Sequence, residues 1–64
     1  MTYATMVARL VDSLGGGDKG MTEMATRIGC HRTTLYAIRS GRTINPQPMT
    51  ARAIDGLYKK VVKP

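Results

Sequence analysis

The sequence predicts an all-α fold, a small bundle of four to five helices, on the basis of three observations. In several segments, apolar residues recur at steps of three and four, the spacing of one helical face. Clusters of glycine and proline separate these segments, and no alternating pattern typical of a β-strand competes with them. A chain of 64 residues has room for one domain with a small core, so we expect residues 1–64 to form a single domain.

The first predicted helix covers residues 3–14, with Thr2 as a suitable N-cap. Its apolar face consists of Tyr3, Met6, Val7, Leu10, Val11 and Leu14. Residues 15–20 begin with three glycines and are predicted to be a flexible connection, because glycine loses much backbone entropy in a helix. A phosphate-binding loop is disfavoured there, since no strand precedes the glycines and the GK[ST] pattern is absent.

A second, short helix is predicted to start at Thr22, its expected N-cap. The apolar residues of this helix are Met24, Ala25 and Ile28. Gly29 is expected to end it in a left-handed conformation.

A third helix is predicted over residues 32–40 and is closed by Gly41. Leu35 and Ile38 are its apolar anchors, so its outward face is polar and basic. Cys30, just before this helix, is expected to be a core residue rather than a reactive thiol, since no activating base is obvious.

Residues 42–48 contain two prolines, an Asn and a Gln and are predicted to be a loop. Thr50 is then expected to cap a fourth helix that continues to about Lys60. The apolar residues in this region are Ala53, Ile54, Leu57, Tyr58 and Val61. Residues 61–64 are expected to form a frayed tail.

Positive charge is concentrated in the second part of the chain. The net charge is +6, and residues 27–64 hold eight of the ten Lys and Arg but only one of the four acidic residues, Asp55. Such an asymmetry is typical of proteins that bind polyanions. Nucleic acid is therefore a candidate partner.

The residue inventory disfavours several classes of function. One cysteine rules out an intramolecular disulfide, and one Cys with one His is too few for a zinc site, so no metal and no cofactor are expected. The acidic residues fall on separate segments and no nucleophile–base set is visible, so we expect no enzymatic activity. No apolar run approaches the roughly 18 residues of a membrane span, and no signal peptide is recognisable, so the expected location is the cytoplasm.

The phrase TEMATRIGCHRTTLYAIRSGR, residues 22–42, has the residue types that two closely crossing helices require. It resembles the helix-turn-helix of the phage repressor and Cro group, within the lambda-repressor-like family. The resemblance extends loosely to about residue 61 and implies a central helix-turn-helix over residues 21–40 and binding to double-stranded DNA. Met21 departs from the family pattern, since many members carry there a Gln that contacts the phosphate backbone. The match depends on Ala25, Gly29, Leu35 and Ile38.

The resemblance implies that the second helix of the motif lies in the major groove. The base-contacting candidates are then His31, Arg32, Thr33, Tyr36 and Ala37. The phosphate-contacting candidates, at a helix N-terminus, at the end of the recognition helix and in the following loop, are Thr22, Ser40, Arg42, Thr43 and Gln47. Arg32 is suited to guanine, because a guanidinium can bond to O6 and N7 together.

A homodimer on a two-fold symmetric operator is expected, because one recognition helix covers few base pairs. The interface candidates are apolar residues near the last helix and the loop before it: Ile44, Pro46, Leu57, Tyr58, Val61 and Val62. The leading interpretation is a phage or prophage Cro-like repressor that blocks transcription in a bacterial cytoplasm, without a membrane or small-molecule ligand. A second interpretation within DNA binding is an autorepressor of a small phage operon or an excisionase-like architectural factor. The alternative from another class is a protein-interaction module, an antitoxin or an inhibitor of a host enzyme, with the same fold.

Overall fold

Four α-helices account for most of residues 2–62, the part of the chain that the computed structural model describes. In chain order they are α1 (Tyr3–Ser13), α2 (Gly17–Ile28), α3 (Arg32–Arg39) and α4 (Pro48–Val61). Helix α1 packs against the other three and α2 also contacts α3 and α4, whereas α3 and α4 do not pack against each other over these residues. The predicted all-α fold is confirmed, with no strand in the described part of the chain. No helix there has the length and hydropathy needed to cross a membrane.

Helix α1 begins where the sequence predicts. The Thr2 side-chain oxygen accepts a hydrogen bond from the backbone N–H of Thr5 at 3.2 Å, which confirms Thr2 as the N-cap. The helix ends at Ser13, and Leu14 follows as its C-cap. The predicted extent of this helix was therefore correct to within one residue.

Helix α2 begins at Gly17, so the prediction of a flexible connection over residues 15–20 was wrong, and only residues 14–16 join α1 to α2. The reason is the crossing of the two helices. Gly20 is buried against α1, and a Cβ atom built on it would lie 2.3 Å from the carbonyl oxygen of Val11. Glycine lets the two helices approach closely, and packing then offsets its helix-propensity cost of about 1 kcal/mol.

A turn of three residues, 29–31, joins α2 to α3. Gly29 has a φ of 82°, in the left-handed region, as the sequence predicts. The carbonyl oxygen of Ala25 accepts the backbone N–H groups of Gly29 at 2.8 Å and Cys30 at 3.1 Å. These bonds fix the direction in which the chain enters α3.

Helix α4 begins at Pro48, with Gln47 as the N-cap, so the prediction of Thr50 as the cap was wrong. Proline suits the first helical position because its φ is already helical and its missing N–H has no partner there anyway. The first intrahelical bond runs from the N–H of Ala51 to the carbonyl of Gln47 at 2.8 Å. The helix continues through Val61.

The core joins all four helices. Leu35 and Ile38 are fully buried, which confirms them as anchors of α3. Cys30 is only partly buried against the core, and this burial raises the pKa of its thiol above the ordinary 9.0. The thiol is therefore protonated at neutral pH, in keeping with a packing role. The buried apolar residues are Val7, Leu10, Val11, Met21, Met24, Ala25, Leu35, Ile38, Ile54 and Tyr58.

Candidate nucleic-acid interface

Helix α3 presents a polar and basic surface to solvent. Because Leu35 and Ile38 are fully buried, the rotation of the helix about its axis is fixed. At about 100° per residue, Thr33, Tyr36 and Ala37 lie on the side opposite these anchors, and Arg32 lies at the edge of that side. His31, the N-cap of α3, is exposed at the edge of this surface. We call the surface the α3 face, and it consists of Arg32, Thr33, Tyr36 and Ala37, of which Ala37 alone is partly buried.

Within the described residues, the arginines of α3 are not ion-paired, although one carboxylate, Asp18, contacts the α3 face at Tyr36. Arg32 and Arg39 are exposed, and neither forms an ion pair with any residue in the described part of the chain. Over the same residues, the one ion pair joins Arg27 and Glu23 on α2, with Nε and Oε1 at 2.9 Å. An unpaired guanidinium keeps both its charge and its hydrogen-bond donors for an external anion.

Three predicted phosphate-contacting residues lie at the C-terminal end of α3. The Ser40 hydroxyl donates to the carbonyl oxygen of Ala37 at 3.1 Å. Arg42 donates from Nε to that hydroxyl oxygen at 3.4 Å. The backbone N–H of Thr43 also donates to the carbonyl of Ala37 at 3.1 Å. Ser40, Arg42 and Thr43 are thus held beside the α3 face by direct contacts.

A groove of about 590 Å³ runs between the start of α3 and the start of α4, and we call it the α3–α4 groove. It brings His31 together with Thr43 and Gln47, which lie 12 and 16 residues further along the chain. Met49, which no prediction singled out, is 85% exposed at its rim. The groove is lined by Ile28, Gly29, Cys30, His31, Thr34, Thr43, Asn45, Pro46, Gln47, Met49, Thr50 and Ala53.

Tyr36 on the α3 face is bonded to a residue that the sequence did not connect with it. Its hydroxyl donates to Oδ1 of Asp18, in the first turn of α2, at 2.9 Å. The pKa of Tyr36 is raised above 10.0 by this hydrogen bond, then by burial and by the Asp18 charge, while Arg32 and Arg39 lower it. The phenol is therefore neutral at physiological pH. No local signal predicts this contact, because the two residues are 18 positions apart and lie on different helices.

The structure places Thr22 differently from the prediction. Thr22 was expected at a helix N-terminus, where free backbone N–H groups bind phosphate. It is instead the sixth residue of α2, past the first turn, and its carbonyl oxygen accepts the Thr26 hydroxyl at 3.0 Å. Its side chain is exposed, but its position offers no helix end. The neighbouring Met21 is fully buried and is part of the core.

The predicted interface residues are unequally accessible. Ile44 is 77% exposed in the loop before α4, and Pro46 in the same loop is partly buried. Tyr58 is only 6% exposed, and its hydroxyl oxygen accepts a hydrogen bond from Nη1 of Arg9 at 3.1 Å, so it offers little surface to a partner. The residues of α4 and its C-cap that pack partly against the core are Leu57, Val61 and Val62.

Comparisons of the chain with protein-family models, with curated proteins and with solved structures find no significant match. Over residues 2–62, no group of three or more His, Cys, Asp or Glu side chains could hold a metal ion. The arrangement and charge of the α3 face are therefore the basis for a functional interpretation.

Proposed function

We propose that this protein is a sequence-specific DNA-binding transcriptional regulator, a phage or prophage Cro-like repressor that occupies operator DNA. The observation that carries the proposal is the α3 face: an exposed polar helical surface with Arg32 at its edge, turned away from two fully buried anchors. An α-helix fits the major groove, and side chains on its outward face can reach the base edges there.

The connection between α2 and α3 supports a helix-turn-helix. The two helices are joined by three residues, and Gly29 adopts the left-handed conformation at the turn. Ala25, whose carbonyl oxygen accepts the N–H groups of Gly29 and Cys30, is 6% exposed, and its small side chain lets the helices approach. These features agree with the sequence resemblance to the lambda-repressor-like family, in which the second helix reads the bases.

We assign different roles to Arg32 and Arg42 because they lie at opposite ends of α3. Arg32, at the first position of α3, is placed to bond guanine at O6 and N7. Arg42, held by Ser40 beyond the end of α3, is placed to contact the phosphate backbone. Thr33 and Ala37 can contact a thymine methyl group.

We further propose that the protein binds as a homodimer to a two-fold symmetric operator. The exposed apolar side chains of Ile44 and Met49 lie in and just after the loop before α4, away from the core. Such side chains suit a contact with a second chain. Sedimentation with operator DNA should give two chains per site, and a half-site should bind more weakly than the full site. One chain per full site would contradict the dimer.

Selection of bound duplexes from a random pool tests the function, followed by titration of the selected and a scrambled duplex at two salt concentrations. We expect the selected duplex to bind about 10³-fold or more tightly, with affinity for both falling as salt rises. Arg27→Ala is the matched control for Arg32→Ala, because both remove one positive charge but Arg27 is already paired with Glu23. Arg32→Ala should reduce the preference for the selected duplex, and Arg27→Ala should preserve it.

Absence of duplex binding and of a salt dependence would contradict the proposal. That outcome would favour the protein-interaction module, an antitoxin or an inhibitor of a host enzyme.

A further inference from the structure

We propose that Tyr36, held by Asp18, reads an exocyclic amino group in the major groove, and therefore an adenine or a cytosine. This inference depends on the proposed DNA-binding function and specifies what one side chain of the α3 face recognises.

The geometry leaves Tyr36 available to DNA while fixing its hydroxyl. The side chain is 39% exposed on the α3 face, next to Thr33 and one turn after Arg32. Its hydroxyl donates its one proton to Asp18 at 2.9 Å. Because the phenol is neutral at physiological pH, this proton is present and committed to the carboxylate.

The Tyr36 hydroxyl oxygen consequently has only lone pairs left to offer. In the major groove, the acceptors are guanine N7 and O6, adenine N7 and thymine O4, and the phosphate oxygens are acceptors too. None of these atoms can form a hydrogen bond with the Tyr36 oxygen, because neither partner would supply a proton. The donors there are the N6 amino group of adenine and the N4 amino group of cytosine. Both oxygens of Asp18 are acceptors as well, so the pair forms an acceptor patch whose preferred partner is an amino group.

The neighbouring residues on α3 have the opposite chemistry. Arg32 lies four residues before Tyr36 and Arg39 three residues after it, and a guanidinium only donates hydrogen bonds. Along α3, the acceptor position at Tyr36, which suits adenine or cytosine, therefore lies between two donors, Arg32 and Arg39, which suit guanine.

Removal of single amino groups from the selected duplex tests the inference. Each adenine is replaced in turn by purine and each cytosine by 2-pyrimidinone, which lack the amino group, and binding is measured for the parent and for Tyr36→Phe. We expect one such replacement to weaken the parent by about two- to tenfold and to leave Tyr36→Phe unaffected. Tyr3→Phe is the matched control, because Tyr3 also donates to a carboxylate, Asp55, at 3.3 Å, but lies on α1. It should respond as the parent does.

A second variant tests the role of Asp18. Asp18→Ala frees the Tyr36 hydroxyl to donate. The preference for adenine or cytosine over thymine or guanine at the base that faces Tyr36 should then decrease by a similar factor. The inference is overturned if no amino deletion distinguishes the parent from Tyr36→Phe, or if Asp18→Ala keeps the full preference. Salt-dependent, sequence-selective binding that persists in either case leaves the proposed function standing. Failure of all duplexes to bind overturns both.

Discussion

Replacement of Gly20 by alanine tests the crossing on which the position of the α3 face depends. Alanine in a helix interior is normally more favourable than glycine by about 0.8–1 kcal/mol. At Gly20, however, the added Cβ would lie 2.3 Å from the carbonyl oxygen of Val11 and 2.9 Å from its Cγ1 atom. The backbone of α1 would have to shift, because a carbonyl group has no rotamer by which to move away.

Overpacking costs about 1–3 kcal/mol, and a clash with a backbone carbonyl belongs in the upper part of that range, about 2–3 kcal/mol. After subtraction of the gain in helix propensity of about 1 kcal/mol, we expect Gly20→Ala to lower the free energy of unfolding by about 1–2 kcal/mol. In a domain of this size that corresponds to a fall in Tm of about 4–16 °C. Gly56→Ala is the matched control, since Gly56 is exposed within α4 and a Cβ there meets no atom within 4 Å. It should raise Tm by about 4–8 °C.

Thermal unfolding followed by circular dichroism measures both variants. A Tm higher than that of the parent in both Gly20→Ala and Gly56→Ala would refute the close approach of α1 and α2 at Gly20. The helix content of folded Gly20→Ala should match that of the parent, because the strain lies in packing rather than in helix propensity.

The remaining predictions concern the core, a tyrosine and two arginines. Ala25→Leu should lower stability by about 1–3 kcal/mol, measured by urea unfolding, because Ala25 is 6% exposed between packed helices; an unchanged midpoint would contradict this packing. The pKa of Tyr3 is raised above 10.0, first by burial and then by the charge of Asp55 and the hydrogen bond to it. Because the unfolded chain therefore ionises more readily, the free energy of unfolding should fall as pH rises above about 10. In unfolding titrations between about pH 8 and 11, the free energy of unfolding of Tyr3→Phe should fall less steeply with pH than that of the parent. An equally steep fall in both proteins would show that Tyr3 does not cause it. Arg32→Ala should lose about 1–3 kcal/mol of binding free energy on the selected duplex and relax the preference at one base pair. Arg42→Ala should weaken binding to all duplexes alike and lower the salt slope by about one unit. Titrations at two salt concentrations that give equal effects for both variants would contradict these assignments.

Local patterns were sufficient to predict much of the fold. The Thr2 cap, the left-handed Gly29 and the spacing of Leu35 and Ile38 are each consequences of short-range geometry, and all are present as predicted. Since the anchors fix the rotation of α3, the outward position of Thr33 could also be predicted.

The structure departs from the predictions where a tertiary contact, or the preference of proline for the first helical turn, decides the local conformation. The glycine-rich segment has poor helix propensity, yet close packing of Gly20 on α1 makes it part of α2, which no local pattern encodes. The hydrogen bond from Tyr36 to Asp18 likewise depends on how two helices pack. The start of α4 follows a local signal, because Pro48 is a good first helical residue, and this signal outweighs the capping tendency of Thr50.

The central claim is that the α3 face enters the major groove of DNA. The most direct test is a titration of ¹⁵N-labelled protein with the selected duplex, followed through the backbone amide chemical shifts. We predict that the largest shift changes fall on residues 31–43, which include α3 and the segment held to its end, with small changes along α4 beyond its first turn. The largest changes on α4, with residues 31–39 unaffected, would contradict the claim.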